Sequence, residues 1–535
     1  MKIQTTNIIN TTSGKISAVL LTALCLNTSS WALSGTYNNA SSNDSWSNED
    51  NWVNQIVAGG ANFTATFDGS PGAARTVSLT EPVTISHIAI TNWTSGQWRI
   101  SGNTLTLASP TTGKPTITTT GTGDSIRIAS LLAGSSGFEK LGSGRLHLNN
   151  ANNSLTGGIT ISAGTLWTAS AGTISNNTIT LNGGDWLIDG SETHTYDNNI
   201  ILSANTTILN INNTGHTRIL GGIISQTDGP RTLRLAANSG DVQFVLQGDN
   251  SYTGNTVIGN ANTSSVVVRA EHNNAFGTGS ADVQFNIGSK THDSDAVELA
   301  NNITISNKSF ILRGQGRDDA GSLRSVSGNN TWAGSVDTGT FGNATIGVDS
   351  DTLTISGTIS GSGANGLTKI GNGTLILNNT NTYTNGTAVH QGILQAEHDH
   401  SLAGGNVSIA SSATLSIATG VSLNVNTLTL EGTLAFSLNH LFDVTKINVA
   451  QDQLGTGTYI VEITDNGITE GTYTLMNITG NHQATNFILG APNSNYSLDW
   501  SEGTLSLNVI PEPATPLFLL LSAVVPAFRR RLKKN

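Results

Sequence analysis

The chain is poor in the residues that most chemistry needs. It has one cysteine, two methionines and ten prolines in 535 residues. The cysteine, Cys25, lies in an N-terminal segment expected to be removed. A mature chain would then have no thiol for a disulfide, a nucleophile or a cysteine–zinc site. Charged residues make up 11% and aromatics 5%, where an ordinary domain has roughly a quarter charged. Ala, Glu, Lys and Leu do not dominate, which excludes a helical bundle or coiled coil. Disorder is excluded as well, because Val, Ile, Leu and Thr recur in short alternating runs.

Four residue types fill the space. Thr 73, Gly 60, Asn 58 and Ser 56 together make 247 of the 535 positions. Short alternating apolar runs separated by Gly, Asn and Ser describe an all-β protein with many strands and turns. Between positions 33 and 510 there are 17 basic and 34 acidic residues, a net charge of −17. Such a body is not suited to a nucleic-acid partner, which needs a basic stripe, and it repels anionic membranes.

The two ends read as addresses. Lys2 and Lys15 precede the apolar run Ile16–Leu26, and Ser30-Trp31-Ala32 presents small residues for a signal peptidase. The expectation is a signal peptide over residues 1–32, read by the Sec machinery and cleaved after Ala32. At the other end Pro511-Glu512-Pro513 precedes the apolar run Ala514–Phe528 and the cluster Arg529-Arg530-Arg531-Leu532-Lys533-Lys534. Fifteen helical residues span roughly 22 Å, short of the ~30 Å hydrocarbon core. A transient membrane insertion with the basic cluster left cytoplasmic is expected.

The order of these C-terminal parts resembles the PEP-CTERM sorting signal, over residues 511–535. The resemblance implies recognition of Pro511, Glu512 and Pro513 by an exosortase-type enzyme, with Arg529, Arg530 and Arg531 as the terminal cluster. Pro526 departs from an uninterrupted helix.

Two internal stretches align. Gly137-Phe-Glu-Lys140-Leu-Gly142-Ser-Gly144-Arg-Leu146-His-Leu148-Asn149-Asn150 matches Gly366-Leu-Thr-Lys369-Ile-Gly371-Asn-Gly373-Thr-Leu375-Ile-Leu377-Asn378-Asn379. The match runs on through 166 and 394, and a worn copy occupies 248–277. Gly-x-Gly supplies a turn, Leu-x-Leu points two side chains to one face, and the Asn pair closes the strand. A unit this small cannot bury its apolar face alone, so coils must stack. The expected architecture is a right-handed parallel β-helix with β caps. At ~22 residues per coil, residues 130–435 would give some 14 coils spanning about 65 Å.

These units resemble the autotransporter-associated β-strand repeat, whose carriers form β-helical passenger regions on bacterial surfaces. The chain departs from true autotransporters in ending on the sorting segment and not on a translocator barrel. The expected organisation is a cap over 33–133, a β-helix over 134–431 and a C-terminal β region over 432–510. The Trp-rich stretch Trp46-Ser-Asn-Glu-Asp-Asn-Trp52 resembles the opening of many repeat-bearing PEP-CTERM proteins.

Candidate chemistry is thin. Asp318-Asp319 would face opposite ways on a strand and reads as a turn. Glu397-His398-Asp399-His400 and His292-Asp293-Ser294-Asp295 offer metal-type ligands without a complete set. Gly361-Ser-Gly363-Ala-Asn-Gly366 has dinucleotide-type glycines but precedes a strand. Trp46, Trp52, Trp93 and Trp98 either pack the cap or stack on sugar rings.

No catalytic, cofactor or metal residues are assigned and no cofactor is expected. The reading is a non-catalytic exported protein at the cell surface or in the extracellular matrix, structural or adhesive and associated with exopolysaccharide. The alternative is a β-helical polysaccharide lyase or glycoside hydrolase, whose carboxylates would cluster on one face.

Overall fold

A computed structural model describes residues 32–510, except 39–43, 175, 211–214, 261–263, 287–293, 340–343, 362–365, 441–445, 455–456 and 480–485. The signal peptide, apart from Ala32, and the sorting segment, with Pro511, Glu512, Pro513, Arg529, Arg530 and Arg531, lie outside the described residues. Ala32 itself is exposed, just before the first bridge, Leu33 to Gly59.

The chain winds into a parallel β-solenoid of about 16 turns, and among the described residues helix is limited to short 3-10 turns. At ~4.8 Å per turn this makes a rod of roughly 75 Å. Its strands form four long sheets of 12, 13, 15 and 9 strands. The first sheet gathers strands between Gly35 and Gln226, and the second those between Ala74 and Ser360. The third runs from His194 to Val509 and the fourth from Thr304 to Leu489.

Each coil stacks on the next in register, because apolar residues alternate along most strands and only one alignment buries them. Phe138, Ile159, Ile179, Ile200 and Ile224 follow one another in such a row. They sit inside one continuous apolar core that runs the length of the rod. Coil length is uneven. Registered partners are 19 residues apart at Thr374 and Ile393 but 29 apart at Ala270 and Leu299. Extra residues are absorbed in the turns, where they leave the stacked strands undisturbed.

Parallel stacking also passes through both end regions. It begins with Gly35–Tyr37 on Gly60–Asp68 and continues to Thr458–Asp465 on Asn486–Leu489. Only the last strands, Tyr496–Ser501 and Thr504–Val509, turn antiparallel and close the third sheet. The N-terminal end is filled by aromatic rings. Trp46, Trp52, Trp98, Tyr37 and Phe67 are buried with centroids 5.2–6.4 Å apart. Trp46 donates Nε1–H to the Ala58 carbonyl and Trp52 to that of Trp46. These rings therefore serve the cap and are not sugar platforms. Trp93 is half-buried, donates to the Gly96 carbonyl and lies over Gly121 and Gly123.

Candidate functional site

Two of the three repeat copies hold a buried lysine, and all three hold a buried asparagine, inside the rod. Lys140 is fully buried, and its ammonium donates to the carbonyls of Leu141 at 2.9 Å, Gly142 at 2.8 Å and Ala163 at 3.0 Å. Lys369 does the same to Ile370, Gly371 and Gln391 at 2.9, 2.6 and 3.1 Å. An ammonium has three N–H groups, and here each has an acceptor. Two belong to the lysine's own turn and one to the next coil.

Asparagine supplies the second bond between coils. Asn153 accepts from the Leu132 N–H and donates to the Thr173 carbonyl. Asn250 bridges Ile224 and Ala275 in the same way, and Asn381 bridges Ile359 and Ser401. Each joins the coil behind to the coil ahead. The Asn pair singled out in the sequence has a lesser part, with Asn150 and Asn379 each donating back to Ala129 and Ser356.

The strand after each buried asparagine lies in a different sheet. Ile159–Ile161 belongs to the first, Thr256–Ile258 to the second and Thr387–Val389 to the third. The unit is a local solution to stacking and is not tied to one side of the rod.

The three stretches match a known family model. It is that of the Passenger-associated-transport-repeat, at residues 138–167, 243–261 and 367–396. The chain is also similar to the Adhesin BmaC autotransporter of Brucella suis biovar 1 (strain 1330), 28% identical over 405 residues. That alignment takes in 60% of this chain and 12% of the adhesin, so the chain spans a small part of that relative. No solved structure matches the chain.

The titratable clusters noted in the sequence do not assemble into sites. Asp318 and Asp319 lie in a 3-10 turn, both with positive φ, beside Arg317, which donates to the carbonyls of Val242 and Ser265. Glu397-His398-Asp399-His400 forms a turn, and His398 and His400 share no strand face. Their ring centroids are 6.1 Å apart, and the strand Gly392–Ala396 ends before them. Asp399 accepts from the Ser422 N–H and Asp295 from the Val266 N–H. His292, Asp293 and the segment 362–365 lie outside the described residues. Among the described residues no group of three or more His, Cys, Asp or Glu could hold a metal ion. No described helix is long and apolar enough to cross a membrane.

Two charged rows run along the rod's outer faces, and sequence reasoning saw neither. On the third sheet Arg269, Glu298 and Arg324 stand in register. Glu298 meets Arg269 at 2.8 Å and Arg324 at 3.3 Å, and Arg324 reaches Asp349 at 2.7 Å. Signs alternate, so this row is self-neutralising. On the second sheet the row reads Arg99, Arg127, His147, Trp167. His147 is nearly buried and stacks on the Trp167 indole at 3.9 Å, with planes 4° apart. The Arg145 guanidinium lies 5.4 Å from the indole centroid and pairs with Asp124 at 2.8 Å. Burial, then Arg127 and Arg145, pull His147 down to about 3.

Two grooves border the glycine turns of the repeats. One of about 640 Å³ is lined by Lys114, Thr156, Gly157, Gly158, Asn177 and Thr180. The other, about 340 Å³, is lined by Gly386, Asn385, Asn406, Thr368, Ser408 and Thr429. Hydroxyls and amides dominate the second, whereas the first has a more apolar wall that includes Leu155.

The buried groups give stability a defined pH dependence. Burial pulls Lys140 from 10.5 to about 7, and Lys308 and Lys369 to about 8. Between those values and 10.5 the unfolded chain binds more protons than the folded one, so stability rises with pH. His147 acts in the same sense between about 3 and 6.5. Above pH 10 the sign reverses, because burial pushes Tyr37 and Tyr196 up to about 12 and the unfolded tyrosines ionise first. Thermal unfolding followed from pH 5 to 11.5 is expected to show its highest midpoint at about pH 9–10. A flat profile, or a maximum below pH 7, would contradict it.

Proposed function

We propose that this chain is a non-catalytic, exported surface rod that acts as an adhesive protein and contacts exopolysaccharide. The similarity to an autotransporter adhesin over 60% of the chain carries this reading. It is supported by where the chemistry-bearing residues go. The recurring Lys and Asn join coil to coil. The outer surface is rich in hydroxyls and amides, which bond neutral sugars with little dependence on salt. Export through the Sec machinery, cleavage after Ala32 and sorting by an exosortase-type enzyme at Pro511-Glu512-Pro513 belong to the same proposal. The C-terminal segment would hold the chain in the cytoplasmic membrane only until that step.

The reading is tested by coating beads with the chain and measuring their retention on films of exopolysaccharide from the producing cells, with solution viscosity followed in parallel. Retention without a fall in viscosity is expected. A viscosity fall that disappears on replacing the carboxylates of one coil would instead establish a lyase or hydrolase. Mass spectrometry of the native C-terminal peptide tests the sorting step. A chain ending near Pro511–Pro513 outside the membrane fraction is expected, and an intact Arg529–Asn535 end in the membrane would refute it.

A further inference from the structure

The outer row of the second sheet breaks the rule that the third sheet obeys. Arg99 and Arg127 are directly registered on neighbouring strands, where like charges repel. Both are half-buried. Arg99 donates Nε–H to Gln97, and Asp124 is already paired to Arg145. Burial and then Arg99 lower the Arg127 pKa, against a smaller opposing effect of Asp124. Three guanidiniums thus share one carboxylate, on a body whose net charge is −17.

The row and its flank also hold polar atoms that nothing in the rod satisfies. His147 Nε2 and Trp167 Nε1 in the row, and Arg145 Nε two residues from His147 on the same strand, are buried without a hydrogen-bond partner. His147 is only 5% exposed. An opposite-sign neighbour would have made a stable row, as Glu298 does between Arg269 and Arg324.

We propose that the Arg99–Arg127–His147–Trp167 row is a binding site for a carboxylated polysaccharide. Sugar carboxylates would seat on the Arg99 and Arg127 guanidiniums, where planar two-point pairing is available. The sugar would lie along the rod axis, beside the outer edge of the Trp167 indole. A uronate polymer carries one charge per sugar and fits a short basic row. Duplex DNA carries one per ~1.7 Å, and the acidic body on either side would repel it. The proposal rests on the adhesive reading and names the class of sugar polymer it would take.

The test uses the full-length chain and titrates polygalacturonate, its fully methyl-esterified form, a neutral glucan and a thymidine oligonucleotide by calorimetry. Polygalacturonate is expected to bind, in a salt-sensitive way, and its ester to bind at least about tenfold more weakly. The R99Q/R127Q double variant should lose polygalacturonate binding by a similar factor while keeping neutral-glucan binding. Its Tm should hold or rise, because a repulsion has been removed. R99K/R127K, which keeps the charge, should recover most of the binding.

Wild-type binding that R99Q/R127Q leaves intact overturns this site and leaves the adhesive reading standing. A fall in Tm for R99Q/R127Q without recovery in R99K/R127K would make the row structural. Tighter binding of the oligonucleotide would replace the polysaccharide with a nucleic acid. Failure of the wild-type chain to bind any glycan would remove the adhesive reading together with the proposal.

Discussion

Lys369→Met is expected to cost the fold about 3 kcal/mol and to loosen the turns at Gly371 and Gln391 together. The methionine fills the same space, so the loss comes from the carbonyls of Ile370, Gly371 and Gln391, to which the ammonium now donates. Each buried acceptor left alone costs about 1–3 kcal/mol, and the relief of not burying a charge offsets part of the sum. Lys140→Met should behave alike at Gly142 and Ala163, since its three bonds are the same. Because coils couple mainly to their neighbours, the readout must be local. Hydrogen exchange should accelerate over about two coils on either side of the substitution, with distant coils unchanged. Exchange unaltered in the next coil would show that the lysine does not join coils.

Gly371→Ala is expected to cost about 3–4 kcal/mol, against about 1 for Gly113→Ala. Both glycines have similar positive φ, +79° and +75°, so the backbone penalty is shared. They differ in surroundings. A Cβ on Gly371 would stand 2.3 Å from the Val348 carbonyl oxygen of the preceding coil, whereas nothing lies within 4 Å at Gly113. The difference between the variants therefore measures how tightly the coils are stacked. Gly142 carries the same constraint, 2.2 Å from the Thr119 oxygen. Equal midpoints for G371A and G113A in urea would mean that the coils can part at little cost.

Much of this architecture was legible because its rules are local. Leu-x-Leu after Gly-x-Gly marks a strand after a turn, and Leu146, Leu148, Leu375 and Leu377 are all buried where that pattern puts them. Of the two readings open for the tryptophans of the first stretch, cap packing or sugar stacking, burial decides for packing at Trp46, Trp52 and Trp98. What the pattern could not show depends on which coil lies above which. Arg99 meets Arg127 across 28 residues, while Arg127 meets His147 across 20. With coil length that uneven, no fixed period in the sequence brings the row together. The lysine's role was hidden for a different reason. A charged residue in a polar repeat looks solvated, and only the three inward carbonyls show why Lys140 and Lys369 are buried.

Because the repeat unit sits in a different sheet in each copy, the rod tolerates a gene that gains or loses material out of phase. A duplicated stretch need not restore the same side of the coil, only another glycine turn and bridging asparagine. The length of the rod thereby becomes a quantity that recombination can tune, set by the number of units and not by redesign of the core.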